Sequence, residues 1–168
     1  MAAGPAVQRI LEEHSGEVRL VLKSYPYRYR DYARISALAA LAAGEQGKYW
    51  EMHDIMLKRS PILDRASLVK YAGELGLDLA RFERDLESPK HNDQIDGDIK
   101  LAESLDIYST PTFYINGRKV VGNAPYEYLK KIVEEELKNN ADNPKALPCG
   151  ECHLHPPVSG SSGMRAKR

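Results

Sequence analysis

The stretch Ser109-Thr110-Pro111-Thr112-Phe113-Tyr114-Ile115-Asn116-Gly117-Arg118-Lys119-Val120-Val121 decides how this chain is read. Thr112 to Ile115 and Lys119 to Val121 are short runs rich in β-branched and aromatic residues, which suit a pleated, half-buried surface. Asn116-Gly117-Arg118 joins them, and Asn-Gly is the strongest short hairpin signal because both residues accept positive φ. Pro111 stands just before the first run, where its missing N–H costs no ladder bond. A hairpin is therefore predicted. Pro125 then opens a last helix, with Leu129, Ile132, Val133 and Leu137 facing inward.

Upstream, Pro5 to His14 reads as the tail of an amphipathic helix, with Val7, Ile10 and Leu11 on one face. Glu17 to Lys23 alternates and carries β-branched residues, which predicts a strand stopped at Tyr25-Pro26-Tyr27. From Tyr32 to Leu105 the pattern is helical. Ala33 to Ala43 is alanine-rich and closed by Gly44. Tyr49, Met52, His53 and Met56 recur at helical spacing. Asp64 and Asp78 are N-cap residues of the next two helices, and Gly76 is a stop between them. Ser88-Pro89 breaks the second of these, and Ile95, Ile99 and Ala102 define one more helix, ending near Asp106. The order is helix, strand, helical block, strand, hairpin strand, helix, which is an α/β layer with few strands for its helices.

The sequence has 168 residues, with 24 Lys plus Arg against 24 Asp plus Glu. This balance gives no sign of a nucleic-acid or membrane partner. No apolar run approaches the roughly 20 residues of a spanning helix, and Met1 to Gln8 lacks the features of a signal peptide. No Gly-rich phosphate loop or Ser-His-Asp arrangement stands out.

The 109–118 stretch resembles the Thr-Pro-Thr-Phe-x-(Ile/Val)-Asn-Gly segment of DsbA-like thiol–disulfide oxidoreductases. Gly44-Glu45-Gln46-Gly47-Lys48-Tyr49-Trp50-Glu51-Met52-His53-Asp54 is similar to another stretch of that family, and Leu75-Gly76-Leu77-Asp78 and the last helix match as well. The resemblance runs over about residues 4–138 in consistent order. It implies an α/β thioredoxin-like fold with an all-helical insertion at about residues 33–106. The whole domain would then be 1–139, followed by a Pro/Gly/Ser-rich tail, 140–168, expected to be disordered. It also implies protein thiol–disulfide exchange in the periplasm or cell envelope, with protein or peptide thiols and disulfides as substrates, a possible redox partner protein and no cofactor. Thr110 and Pro111 would belong to the catalytic face. A cis Thr110–Pro111 bond would turn the preceding backbone toward an extended peptide.

The chain departs from the family in one respect. The family keeps a strand and then a Cys-x-x-Cys at the start of a helix, where the helix N-terminus lowers the thiol pKa. Pro5 corresponds to the proline five residues after the second cysteine. Counting back puts that cysteine directly before Met1, so the sequence reads as truncated, lacking the N-terminal strand and the pair. A start placed at an internal Met and a half-fold that borrows a strand both fit. On this reading the sheet edges along Glu17–Lys23 and Thr112–Ile115 lack a central strand, and the chain is a weak or inactive oxidoreductase.

The two cysteines present, Cys149 and Cys152, form Cys-x-x-Cys-His with His153. Four readings stay open: a mobile redox pair, c-type haem attachment on Cys149, Cys152 and His153, zinc held by the thiolates with His153 or His155, and a tail without function. A non-enzymatic module binding haem or zinc is therefore the main alternative, and a glutathione-dependent isomerase on the same fold a further one. Tyr25 to Tyr32 mixes aromatics with arginines. Zero net charge argues against nucleic acid there, and a structural or substrate-flanking role is expected. His53, Trp50 and Tyr49 are expected in the core.

Overall fold

The computed structural model describes residues 3–141. The described residues divide into two units, one formed by residues 3–21 with 111–141 and the other by 22–110.

The first unit holds helix α1 (Ala3–Glu13), strands β1 (Thr112–Ile115) and β2 (Arg118–Val121), and helix α7 (Tyr126–Ala141). β1 and β2 pair antiparallel, with Phe113 opposite Val120 and Tyr114 opposite Lys119. Asn116 (φ 47°) and Gly117 (φ 91°) form the turn. Two positive φ angles match the right-handed twist of the flanking strands, and only glycine reaches the second without strain. Because side chains alternate along a strand, Phe113 and Val120 share a face and pack with Ala6, Ile10, Leu129, Ile132 and Val133. Tyr114 and Val121 lie on the exposed face.

The second unit is helical: α2 (Ala33–Gly44), α3 (Tyr49–Arg59), α4 (Arg65–Glu74), α5 (Leu79–Leu86) and α6 (Pro89–Ser104). Helix α2 packs against α3, α4, α5 and α6. Its five consecutive residues Ala39–Ala43 are all buried, so every side of this segment is covered, and its four alanines let neighbouring backbones approach closely. Phe82, Met52, Leu68 and Ile95 fill the space around it.

Local chemistry sets the helix ends. The Asp64 carboxylate accepts the Ser67 N–H at 3.1 Å and that of Asp78 accepts the Arg81 N–H at 2.9 Å, each satisfying a first-turn donor. Gly76, at φ 72°, ends α4: its N–H reaches the Gly73 carbonyl, and the Leu77 N–H reaches back to the Ala72 carbonyl, each at 3.0 Å. Pro89 both separates α5 from α6 and occupies the first turn of α6, where a missing N–H is harmless.

The expected strand Glu17–Lys23 is a correction. Apart from a bridge at Val21 the segment has no strand pairing, and the sheet has two strands among the described residues. Its alternation survives as far as Leu20, since Val18 and Leu20 are half-buried while Glu17 and Arg19 are exposed, but Val21 and Leu22 are both half-buried. Alternation reports which side chains are sheltered. A ladder also needs a run of consecutive backbone partners, and the described residues offer this segment none. The expected tail, 140–168, lies outside the described residues from residue 142 onward.

Two buried polar side chains, Asp98 and His91, tie the second unit together. Asp98 on α6 accepts the Ser24 backbone N–H at 2.8 Å and the Lys23 ammonium at 3.0 Å, fixing the segment that leads toward α2. His91 places Nδ1 2.8 Å from the Asp85 carbonyl and Nε2 3.1 Å from the Glu45 carboxylate. Replacing Asp98 by alanine leaves the Ser24 N–H without this acceptor. A loss of about 1–3 kcal/mol is expected, read from the urea midpoint. A midpoint unchanged from wild type would show that the carboxylate is not an anchor.

Candidate thiol-exchange site

The residues expected to face substrate are placed by hydrogen bonds of their own backbone, one to backbone and one to a side chain. Pro111 is half-buried, and its carbonyl accepts the Gly122 N–H at 2.8 Å, continuing the hairpin past Thr112–Val121. Thr110 is exposed, and its N–H donates to the Tyr27 hydroxyl at 2.8 Å. The side chain of Tyr27 is held in turn by its neighbours, edge-on to Tyr25 at 5.6 Å and stacked on Tyr29 at 5.1 Å between ring centroids.

The expected cis Thr110–Pro111 bond is also a correction. Among the described residues the cis peptide bond is Ser60–Pro61, and Thr110–Pro111 is trans. The trans form of an X–Pro bond is favoured by about 0.5–1 kcal/mol unless surrounding structure holds the other isomer. Here the backbone on either side of the bond is engaged by Tyr27 and Gly122, both compatible with the trans form.

In the first unit, α1 and α7 meet through a group of charged and aromatic side chains that sequence spacing could not reveal, since its members lie more than 100 residues apart. The Glu13 carboxylate accepts from the Tyr126 hydroxyl, from the Lys130 ammonium at 3.0 Å and from Arg9 Nε at 2.8 Å. The Arg9 guanidinium also stacks 3.9 Å above the Tyr126 ring. The Tyr126 hydroxyl, followed by Lys130 and Arg9, holds the Glu13 carboxyl down at about 2. Its hydrogen bond to Glu13, and then that to Tyr126, raises the Lys130 ammonium to about 12. Pro5, Ala6 and Arg9 face Asn123 to Tyr126 across an open groove of about 430 Å³ near the start of α1. The first turn of α1 carries no acidic side chain, so nothing from that turn offsets the positive end of the helix dipole.

Cys149, Cys152 and His153, the redox, haem and zinc candidates of the sequence, lie outside the described residues, as does His155. Among the described residues no three His, Cys, Asp or Glu side chains gather as a metal site would require. Tyr49 is buried, and burial, with Asp98 nearby, pushes its phenol well above its ordinary value. Trp50 and His53 sit at the rim of the core instead, half-buried and edge-on to one another at 5.7 Å.

The DSBA-like thioredoxin domain family matches residues 5–134 of the chain. The chain belongs to this family, a family of thiol–disulfide oxidoreductases. It is similar to the structure of a thioredoxin-like oxidoreductase from Silicibacter pomeroyi, with a TM-score of 0.66, 29% identity and 82% of each chain covered. DsbA from Xylella fastidiosa shares the fold, with a TM-score of 0.56 and 20% identity over 69% of this chain and 66% of that one. The fold is therefore thioredoxin-like, mostly helical with a small two-stranded sheet. Two curated relatives carry a different name. Na(+)/H(+) antiporter NhaA 3 of Salinispora tropica is 39% identical over 132 residues, 78% of this chain and 20% of the antiporter. Na(+)/H(+) antiporter NhaA 1 of Salinispora arenicola is 35% identical over 144 residues, 85% and 22% respectively. The chain thus spans about a fifth of the length of these relatives.

The lowered Glu13 value makes the link between α1 and α7 sensitive to acid. A carboxyl moved from 4.5 to about 2 contributes stability that is complete above the unfolded value and fades as pH falls toward the folded one. The melting temperature of Glu13→Gln is therefore expected below wild type by a constant interval from pH 8 to about 5. That interval should close as pH approaches 2. A gap that widens on acidification would show that the carboxylate is not held in this way.

Proposed function

We propose that the chain takes part in protein thiol–disulfide exchange in an oxidising compartment of the cell envelope, as a weak member of its family. The supporting observation is the match across residues 5–134, which spans both units rather than one motif. Thr110 and Pro111 serve as the surface that receives an extended peptide, with main-chain hydrogen bonds as the general means of holding it. No cysteine occurs before Cys149 in this sequence, so exchange by this chain alone falls to Cys149 and Cys152. One thiolate attacks a substrate disulfide and expels one substrate thiolate. The second cysteine then attacks the mixed disulfide and expels the other. The pair is oxidised to a disulfide and the substrate is reduced to two thiols.

Insulin reduction with dithiothreitol as electron donor tests this. Slow turnover above the protein-free rate is expected from the chain. It should be lost in Cys149→Ser, because Cys152 alone cannot close an intramolecular disulfide. Undiminished turnover in that variant would overturn the assignment to the pair. One mole of bound zinc per chain, or a haem Soret band, with no turnover would favour the non-enzymatic reading instead.

A second reading is favoured by the antiporter relatives. Among the described residues no helix is long and apolar enough to cross a membrane, yet the chain aligns with about a fifth of proteins named as ion transporters. We propose that the matched part of those proteins is a thioredoxin-like domain outside the bilayer, and that this domain works joined to or beside a membrane transporter. An antibody against the chain, applied to fractionated cells of the native source, should then find it in the membrane fraction after a low-salt wash. Recovery wholly in the soluble fraction would remove this reading.

A further inference from the structure

The segment leading into α2 forms a second groove, independent of the residues assigned above to thiol exchange apart from one contact. It has a volume of about 660 Å³ and lies between residues 26–35 and one face of α6. We infer that this groove binds an extended acidic segment of a polypeptide, and so selects the proteins that reach the exchange site.

The charge distribution carries the argument. Arg34 is part of the wall and is already neutralised. Its guanidinium holds the Asp96 carboxylate at 2.7 Å and the Asn92 side-chain oxygen at 2.9 and 3.2 Å, cross-linking α2 to α6. Arg28, Arg30 and Lys100 also line the groove. Arg28 and Lys100 lie near enough to Asp96 to help Arg34 hold its carboxyl below the ordinary range, but the three cations with Arg34 outnumber the two acids of the lining, Asp96 and Glu103. Glu103 is the one acid on the lining not engaged by Arg34. A chain with no net charge thus gathers an excess of positive charge in one concave place. Helix α2 adds to it: Tyr32, its N-cap residue, makes no side-chain cap, and its first turn holds no acidic residue, so nothing within the helix offsets its positive end. Asp31, just before it, is exposed and does not line the groove.

The geometry of the turn presents these cations. The Tyr27 carbonyl accepts the Arg30 N–H at 3.2 Å and the Arg30 carbonyl accepts the Ala33 N–H at 3.3 Å, so the backbone doubles back and leaves Arg28 and Arg30 exposed. Pro26, Ile35 and Ile99 give the lining an apolar share. A lining of cations and apolar side chains fits a peptide that alternates carboxylates with apolar side chains. A continuous phosphate backbone fits less well, because Glu103 would repel it, whereas spaced carboxylates can avoid that position. Tyr27 lines the groove and accepts the Thr110 N–H, which connects a bound peptide to the residue before Pro111. The use of the groove in selecting substrates rests on the exchange function proposed above, but the binding itself does not.

Binding is therefore measured with peptides that contain no cysteine. Fluorescein-labelled ten-residue peptides alternating Glu with Leu or Phe, and matched versions with Gln or Lys in place of Glu, are titrated into the full chain and followed by anisotropy. The acidic peptide is expected to bind at least ten-fold tighter than the Gln version and to lose at least ten-fold between 50 and 500 mM salt. Arg28→Glu/Arg30→Glu should lower its affinity ten-fold or more. Lys58→Glu/Lys70→Glu, which changes the net charge equally on exposed positions of α3 and α4, should leave it within two-fold. If the charge reversal disturbs the circular dichroism spectrum, Arg28→Gln/Arg30→Gln is used, with a three-fold loss or more expected. Equal binding of the three peptides, equal losses in the two charge-reversal variants, or tighter binding of a single-stranded oligonucleotide of the same length would overturn the inference. Insulin reduction is read in parallel. A groove that binds in a chain without turnover leaves the peptide inference standing and removes the exchange reading. Turnover without peptide preference does the reverse.

Discussion

Five consecutive buried residues in α2, Ala39–Ala43, form the constraint on which the helical unit depends. A helix covered on every side cannot present polar groups anywhere along that stretch. Its small side chains mean that the neighbours supply the volume, through Met52, Leu68, Phe82 and Ile95. Interiors are close-packed, so the positions of α3 to α6 follow from how closely each approaches this central rod. Enlarging any one of the alanines would have to move a helix, not merely a side chain.

Hydrophobic packing does not fix how the connections run, and here polar groups take over. Gln46 accepts the Asp78 N–H at 2.9 Å and donates to the Asp78 carbonyl at 3.1 Å, clamping the loop after α2 to the start of α5. Glu45 next to it receives His91, and that hydrogen bond lowers its carboxyl below the ordinary range. Asp98 does the equivalent for Lys23 and Ser24. These contacts join segments 32 to 75 residues apart. His91 and Asp98 are buried, so leaving either without its partner would be costly, and these contacts select one arrangement among several that would bury similar apolar area.

What was legible in the sequence follows the same division. Asp64, Asp78, Gly76 and the Asn116-Gly117 turn were readable because their chemistry acts within a few residues. Glu17–Lys23 was misread because alternation is a local signal and strand pairing is not. The cis Thr110–Pro111 expectation failed for a related reason: the isomer of an X–Pro bond depends on its surroundings, which two residues do not encode. Asp98 and His91 gave no sign at all, since a carboxylate or imidazole on a helix reads as a solvated face until its distant partner is known. Of the candidate site, Thr110 and Pro111 were found by resemblance, while Tyr27 as acceptor for Thr110 and Glu13 as the centre of the α1–α7 cluster needed the structure.

The Tyr27–Thr110 bond bears on how a peptide could engage this chain. An extended substrate adds to a fold by pairing its backbone with exposed N–H and C=O groups. At Thr110 the N–H is already taken, and at Pro111 there is none to offer. A peptide arriving at this point has the carbonyl of Thr110 as an acceptor but must displace the Tyr27 hydroxyl to gain the donor. The displaced hydroxyl would stay near solvent, so the exchange of one hydrogen bond for another costs little. The aromatic stack of Tyr25, Tyr27 and Tyr29 then sets the difficulty of the step, because moving one ring breaks two ring contacts. Any peptide taken up at Thr110 would in this way have to move the Tyr27 ring, which also lines the cationic groove.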